Sequence, residues 1–132
     1  MPMVDVFLKG HPRSTQTGTI AKVRGRLFPL RMNTAWSRSC AVQMKSLLGA
    51  GPFPRFSEPV WVYLIFYFPR PKKGTSAPYP RRRLDVDNLV KGLLDGWREI
   101  LWQDDSQIIE LTVRKAWEGR EGPGVRVQID PL

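Results

Sequence analysis

The chain has 132 residues, 42% of them hydrophobic and 25% charged, with 21 Lys and Arg against 12 Asp and Glu for a net charge of +9. That length fits one domain, residues 1–132, with a real core; the longest apolar run, Val60 to Phe68, falls far short of the roughly 20 residues of a membrane helix. Cys40 is the only cysteine, which excludes an internal disulfide and a cysteine-rich zinc site, and with no basic-then-apolar leader the simplest expectation is a cytoplasmic protein.

Charge is unevenly spread. Residues 1–84 hold fifteen Lys and Arg against two acids, a net of +13, whereas residues 85–132 hold six against ten, a net of −4. Such asymmetry points to a polyanion-binding surface beside a compact acidic site. The plainer reading is a basic protein kept soluble by its charge.

In chain order, Val4, Val6 and Leu8 alternate and stop at Gly10, which reads as a first strand. Residues 11–31 show no clear period and are rich in Ser, Thr and Gly. They read as a basic loop carrying Arg13, Lys22, Arg24, Arg26 and Arg31, a candidate DNA contact. His11, the only histidine, precedes Pro12 in a turn and reads as a surface residue. Asn33 or Thr34 is a candidate cap for a helix running to about Leu48, with Gly49 after it. Trp36, Cys40, Met44 and Leu47 recur at helical spacing and are expected to face a core.

Val60 to Phe68 is continuously apolar and rich in β-branched and aromatic residues, the pattern of a central strand covered on both faces. One face could instead meet a second subunit. Residues 69–83 then supply Arg70, Lys72, Lys73, Arg81, Arg82 and Arg83 with four prolines and no acid. This reads as an exposed loop, mobile until an anion orders it, in which Tyr79 could stack on a base. The ordinary reading of such a run is a solvated surface; what favours function is that it leads straight into Asp85.

Six of the twelve acids fall between Leu84 and Gln107. A helix beginning near Asp87 places Asp87, Lys91 and Asp95 on one face, while Leu89, Val90, Leu93, Leu94 and Trp97 supply the apolar face. Mg²⁺ takes hard oxygen ligands, commonly one or two carboxylates with water and phosphate. Asp85 and Asp87 flank the helix start, and the Asp104–Asp105 pair could return to the same ion, which would activate water and offset charge at a phosphate. Lys91 would temper carboxylate repulsion and contact phosphate. The same residues also admit structural roles: Asp85 or Asp87 as a helix cap, Lys91 as an i,i+4 partner of Asp87 and Asp95, Asp104 and Asp105 as turn residues. Beyond this segment, residues 109–117 and 125–129 alternate around a Gly-rich turn and are expected to pair as an antiparallel hairpin. Ile109, Leu111, Val113 and Trp117 would share one face of the first of these strands.

The run RRRLDVDNLVKGLLDGWREILWQDDSQI closely resembles the signature of the RusA family of Holliday junction resolvases. That signature combines a basic lead-in, D-x-D-N, a lysine four after the second Asp, an Asp four further on, and D-D-x-Q. Arg81 to Arg83, Asp85, Asp87, Asn88, Lys91, Asp95, Asp104, Asp105 and Gln107 match it, and Lys115 fits the family's layout. The resemblance implies a homodimeric, Mg²⁺-dependent endodeoxyribonuclease, with Mn²⁺ as a substitute metal, that resolves four-way DNA junctions by paired symmetric nicks in recombination and repair. It also implies Asp85, Asp87 and Asp105 as metal-binding catalytic aspartates, Lys91 as the catalytic lysine, and Asp104 and Asp95 in support. Arg24, Arg26, Arg70, Lys72, Lys73 and Arg81 to Arg83 would hold DNA, and no small-molecule cofactor or membrane is expected. The alternatives are a non-catalytic DNA-binding protein such as a phage regulator, or a related nuclease acting on other branched substrates. The expected fold is a single α/β (α+β) domain. It has a small mixed or antiparallel sheet of about four strands and two main helices, in the order β-α-β-α-β-β.

Overall fold

A computed structural model describes residues 4–13, 16–23, 25–32, 35–48, 55–80, 86–98 and 100–132. The main sheet contains β1 (Val4–Lys9), β4 (Val60–Phe68), β5 (Ile108–Trp117) and β6 (Gly124–Pro131), and two helices, α1 (Ala35–Leu47) and α2 (Val86–Trp97), pack against it. Strand order is β1-β6-β4-β5. β4 pairs antiparallel with β6, as in Val62 opposite Ile129, and parallel with β5, as in Leu64 opposite Val113. The sheet is therefore mixed, and along the chain its elements and the helices follow the expected β-α-β-α-β-β order.

The expected pairing of the last two strands is not formed, because β4 lies between them. The cause is the crossover: β4, α2 and β5 make a right-sized βαβ unit, which sets β5 parallel at one edge. The Gly-rich turn then carries the chain over the end of β4, where Glu118 N–H donates to the Phe68 carbonyl at 2.7 Å. Gly122, at φ +80°, supplies the left-handed residue this reversal needs.

Residues 11–31, expected to be a loop, fall largely in a second sheet: β2 (Gln16–Val23) and β3 (Arg26–Met32) form an antiparallel hairpin. Val23 faces Arg26 across a two-residue connection whose Gly25 lies at φ +78°, the conformation a tight hairpin turn requires. Pro29 is tolerated because, among the described residues, each strand of this two-stranded ribbon pairs along one edge alone.

The core lies between the main sheet and the helices. Val60, Val62, Leu64, Phe66 and Phe68 of β4 are fully buried, as are Val125, Val127 and Ile129 of β6. From α2 come Leu89, Val90, Leu93 and Trp97, and from α1 Trp36, Cys40 and Met44. Each large apolar side chain so buried contributes about 1.5–3 kcal/mol. Gly96 lies where the helices meet: a Cβ there would be in ordinary van der Waals contact with the Ala41 Cβ, at 3.4 Å. Gln43 fastens α1 to the end of β1, accepting from Lys9 N–H at 2.8 Å and donating to its carbonyl at 2.9 Å.

Leu47, expected to face inward, is 55% exposed at the end of α1, and Leu48 packs on the core instead. Ile109 and Leu111 are also exposed, because β5 is an edge strand and its register shifts at its start. The other face of β4 is only half-covered among the described residues. It presents Trp61 stacked on Tyr63 at 5.7 Å, with Tyr67 against Phe7 of β1 at 6.0 Å. Among the described residues no helix is long and apolar enough to cross a membrane.

Candidate metal centre and nucleic-acid interface

Asp87 lies exposed in the first turn of α2, where the helix dipole favours a carboxylate. Lys91 is exposed one turn on. Among the described residues neither makes an ion pair, so the i,i+4 bridge that would give Lys91 a purely structural role is not formed. Asp85 and Arg81 to Arg83 lie outside the described residues.

α2 ends in a tight reversal: the N–H groups of Ile100 and Leu101 both donate to the Trp97 carbonyl at 3.0 Å. The chain then runs beside Phe56, whose N–H donates to the Leu101 carbonyl at 2.7 Å. A short 3₁₀ turn, Asp105–Gln107, follows with Asp104 as its cap. Asp104 accepts from Ser106 N–H at 3.2 Å. Gln107 Oε1 accepts from the N–H groups of Gln103 and Asp104 at 3.0 and 3.2 Å, and its Nε2 donates to the Phe56 carbonyl at 2.6 Å. Two members of the D-D-x-Q run are thus occupied in building the turn: Asp104 as a capping carboxylate and Gln107 as a clamp.

Asp105, the other acid of the run, is partly buried where Asp104 is exposed, and both its oxygens are engaged. Oδ1 accepts the indole N–H of fully buried Trp102 at 2.9 Å. Oδ2 accepts from Arg98 Nη2 at 2.8 Å. Arg98 also lies 3.6 Å from Asp95. Its guanidinium is held even more firmly protonated than usual, first by the Asp105 hydrogen bond and then by the charge of the same carboxylate. The structure thus gathers Asp95, Arg98 and Asp105 at one place. Among the described residues no three acidic, His or Cys side chains form a metal-holding group. Asp105 on its own offers the hard carboxylate oxygen that a divalent ion takes, with Arg98 on one of its oxygens and Trp102 on the other.

Sequence reasoning missed Arg98 and Trp102. Spacing offered a signal, since Arg98 lies three residues after Asp95 and seven before Asp105 and Trp102 three before Asp105, but Arg98 follows the last residue of α2, so helix geometry alone did not join them.

Arg70, Lys72 and Lys73 are exposed, as expected of a DNA-facing loop. The loop is nevertheless tied down. Trp117 Nε1 donates to the Ala77 carbonyl at 2.9 Å, and Arg70 N–H donates to Glu118 Oε1 at 3.1 Å. Tyr79 is not a free stacking ring: the Arg114 guanidinium lies 5.9 Å from its centroid, a cation–π distance. Hydrogen bonds to Tyr79 and Tyr63 raise the Arg114 pKa. Arg26 opens β3, and Arg24 lies outside the described residues. His11 is exposed, as expected.

A family profile described as endodeoxyribonuclease RusA matches residues 9–130, nearly the whole chain. The chain is also similar to the uncharacterized protein YqaN of Bacillus subtilis (strain 168), 42% identical over 50 residues. That stretch is 38% of this chain and spans about a third, 34%, of the relative's length. On the extent of the profile match, the chain belongs to the RusA endodeoxyribonuclease family.

Proposed function

From membership of this family, we propose that the protein is a Mg²⁺-dependent endodeoxyribonuclease acting on four-way DNA junctions as a homodimer. Two identical sites related by a twofold axis suit a reaction that needs paired cuts. Asp85, Asp87 and Asp105 would hold the ion, which supplies an activated water and charge stabilisation at the scissile phosphate. Asp105 is preferred to Asp104 because the Asp104 carboxylate caps the 3₁₀ turn.

The chain's own residues supply the rest. Lys91, exposed on the Asp87 face of α2, offsets the negative charge of carboxylates and phosphate and steadies the departing oxygen. Trp102 fixes the rotamer of Asp105 from a buried position. Arg70, Lys72 and Lys73, with Arg81 to Arg83, Arg24 and Arg26, would contact backbone phosphates and position the junction arms. The single observation that carries this reading is the match of the family profile over residues 9–130.

The test is cleavage of a synthetic four-way junction with and without Mg²⁺, comparing wild type with Asp87→Asn at matched DNA binding. Paired nicks that need the metal and vanish in the variant are expected. Binding without cutting, across several metals and branched substrates, would transfer the protein to the class of non-catalytic DNA binders.

A further inference from the structure

We propose that Arg98 is a resident counter-cation for Asp105, which holds the carboxylate in place without metal and releases it by shifting to Asp95 when a divalent ion binds. The inference rests on the reading of Asp105 as a metal ligand and adds a residue that governs access to that ligand.

The two contacts on Asp105 differ in how readily they can be given up. Trp102 is fully buried, and its backbone pairs with both Phe56 and Arg98 in isolated bridges. Its indole N–H cannot leave Oδ1 without repacking the core. The Arg98 side chain is 49% exposed and Asp105 is 31% exposed, so the bond to Oδ2 lies at the solvent boundary. An ion approaching from solvent therefore competes for Oδ2 with Arg98 and leaves the Trp102 contact intact.

Arg98 has a second acceptor within reach. Its Nη2 lies 2.8 Å from Asp105 and 3.6 Å from Asp95. A small rotation exchanges one carboxylate for the other, so the guanidinium need not be left unpaired. A divalent ion at Oδ2 would also repel the guanidinium directly, since like charges a few ångströms apart cost free energy even near the surface. This gives Asp95 a role distinct from ligation: it receives the displaced arginine.

A purely structural arginine predicts the opposite sign. If Arg98 only staples the 3₁₀ turn to the end of α2, its loss frees Asp105 to rotate, and metal binding weakens. If Arg98 competes, its loss strengthens binding.

The experiment measures binding of Mn²⁺ alone to the DNA-free protein. Electron paramagnetic resonance reports free ion, and circular dichroism confirms that each variant is folded. For Arg98→Ala we expect Mn²⁺ to bind about two- to fivefold more tightly, the scale set by exposed ion pairs, and for Arg98→Lys an intermediate value. Asp95→Asn should weaken binding about twofold by the same measure, because Arg98 then stays on Asp105. Asp105→Asn should lose this binding in every background. Unchanged or weaker binding in Arg98→Ala, with Asp105→Asn still defective, overturns the role of Arg98 alone. Wild-type binding by Asp105→Asn overturns the assignment of Asp105, and the inference falls with it.

Discussion

The indole N–H of Trp102 donates to Asp105 Oδ1 at 2.9 Å, so a fully buried aromatic residue sets the orientation of a carboxylate at the solvent boundary. The contact joins core to surface, and Trp102→Phe separates its two functions. Phenylalanine keeps most of the buried apolar area but has no donor. The loss of a hydrogen bond to a charged acceptor, with a small void, is expected to lower stability by about 1–3 kcal/mol, read from the denaturant midpoint. Asp105 then keeps only the Arg98 contact and loses the one that a bound ion would leave in place, so Mn²⁺ affinity should fall. Arg98→Ala should raise it, and two variants of opposite sign at one carboxylate would separate an orienting contact from a competing one. Tighter Mn²⁺ binding by Trp102→Phe would contradict the orienting role.

Asp104 and Asp105 are adjacent and chemically identical, yet their surroundings predict different consequences of substitution. Asp104 accepts Ser106 N–H as the cap of the 3₁₀ turn, and asparagine caps about as well as aspartate. Asp104→Asn should therefore keep stability within about 0.5 kcal/mol and leave nicking close to wild type. Asp105→Asn should keep the fold, because an amide oxygen can still accept from Trp102, but reduce nicking by about a hundredfold or more, the scale of losing a transition-state charge contact. Rates on a four-way junction at saturating DNA decide the matter. Equal losses in both variants would show that the cap cannot be separated from the site.

What could be read from the sequence divides along physical lines. α2 was legible because Leu89, Val90, Leu93 and Trp97 repeat at helical spacing and are all buried. β4 was legible as central because its apolar run is continuous, and it has a paired strand on each side. The hairpin of β2 and β3 was not, because a register shift between Gln16 and Thr19 breaks the alternation and Pro29 argues against a strand. Pairing partners were not legible either. Local pattern gives a strand's faces, whereas the separation of β5 from β6 depends on the crossover through α2. At the candidate site, the spacing of Asp87, Lys91 and Asp95 followed from helical geometry. The distinction between Asp104 and Asp105 needed the turn's hydrogen bonds, and the Arg98–Asp105 contact needed the reversal that brings the turn back to the end of α2, although Arg98 stands at i+3 from Asp95.

Arg70, Lys72 and Lys73 are exposed on a loop anchored elsewhere, by Trp117 to Ala77 and by Arg114 at Tyr79. Replacing all three with alanine should therefore leave the fold intact and act on DNA binding alone. Each phosphate contact contributes about 0.9 to the slope of log K against log salt on duplex DNA. The triple variant should flatten that slope by up to about 2.7 if each residue meets one phosphate. Fluorescence anisotropy with a labelled junction, from low to moderate salt, gives the slope directly. An unchanged slope would remove this loop from the interface and leave binding to the hairpin and to residues 81–83.

Cys40 is fully enclosed in α1 between the helices and the sheet, and burial pushes its thiol pKa up from 9.0 to about 12. The folded state thus holds the thiol proton more tightly than the unfolded chain does. The stability this contributes is fully present below pH 9 and is lost as the pH climbs from there toward 12. Cys40→Ala removes the titration and costs about 1 kcal/mol in lost apolar burial and a small void. Wild type should therefore be the more stable protein at neutral pH by that margin. Each pH unit above 9 subtracts about 1.4 kcal/mol from wild type and nothing from the variant at this position, so the two stability curves should cross near pH 10. Denaturant melts of both proteins from pH 7 to 10.5 test this, because every other titrating group is common to the pair and cancels in the difference. A gap that stays constant across the range would mean that the thiolate is accommodated in the fold, and that the packing around Cys40 opens more easily than its complete burial implies.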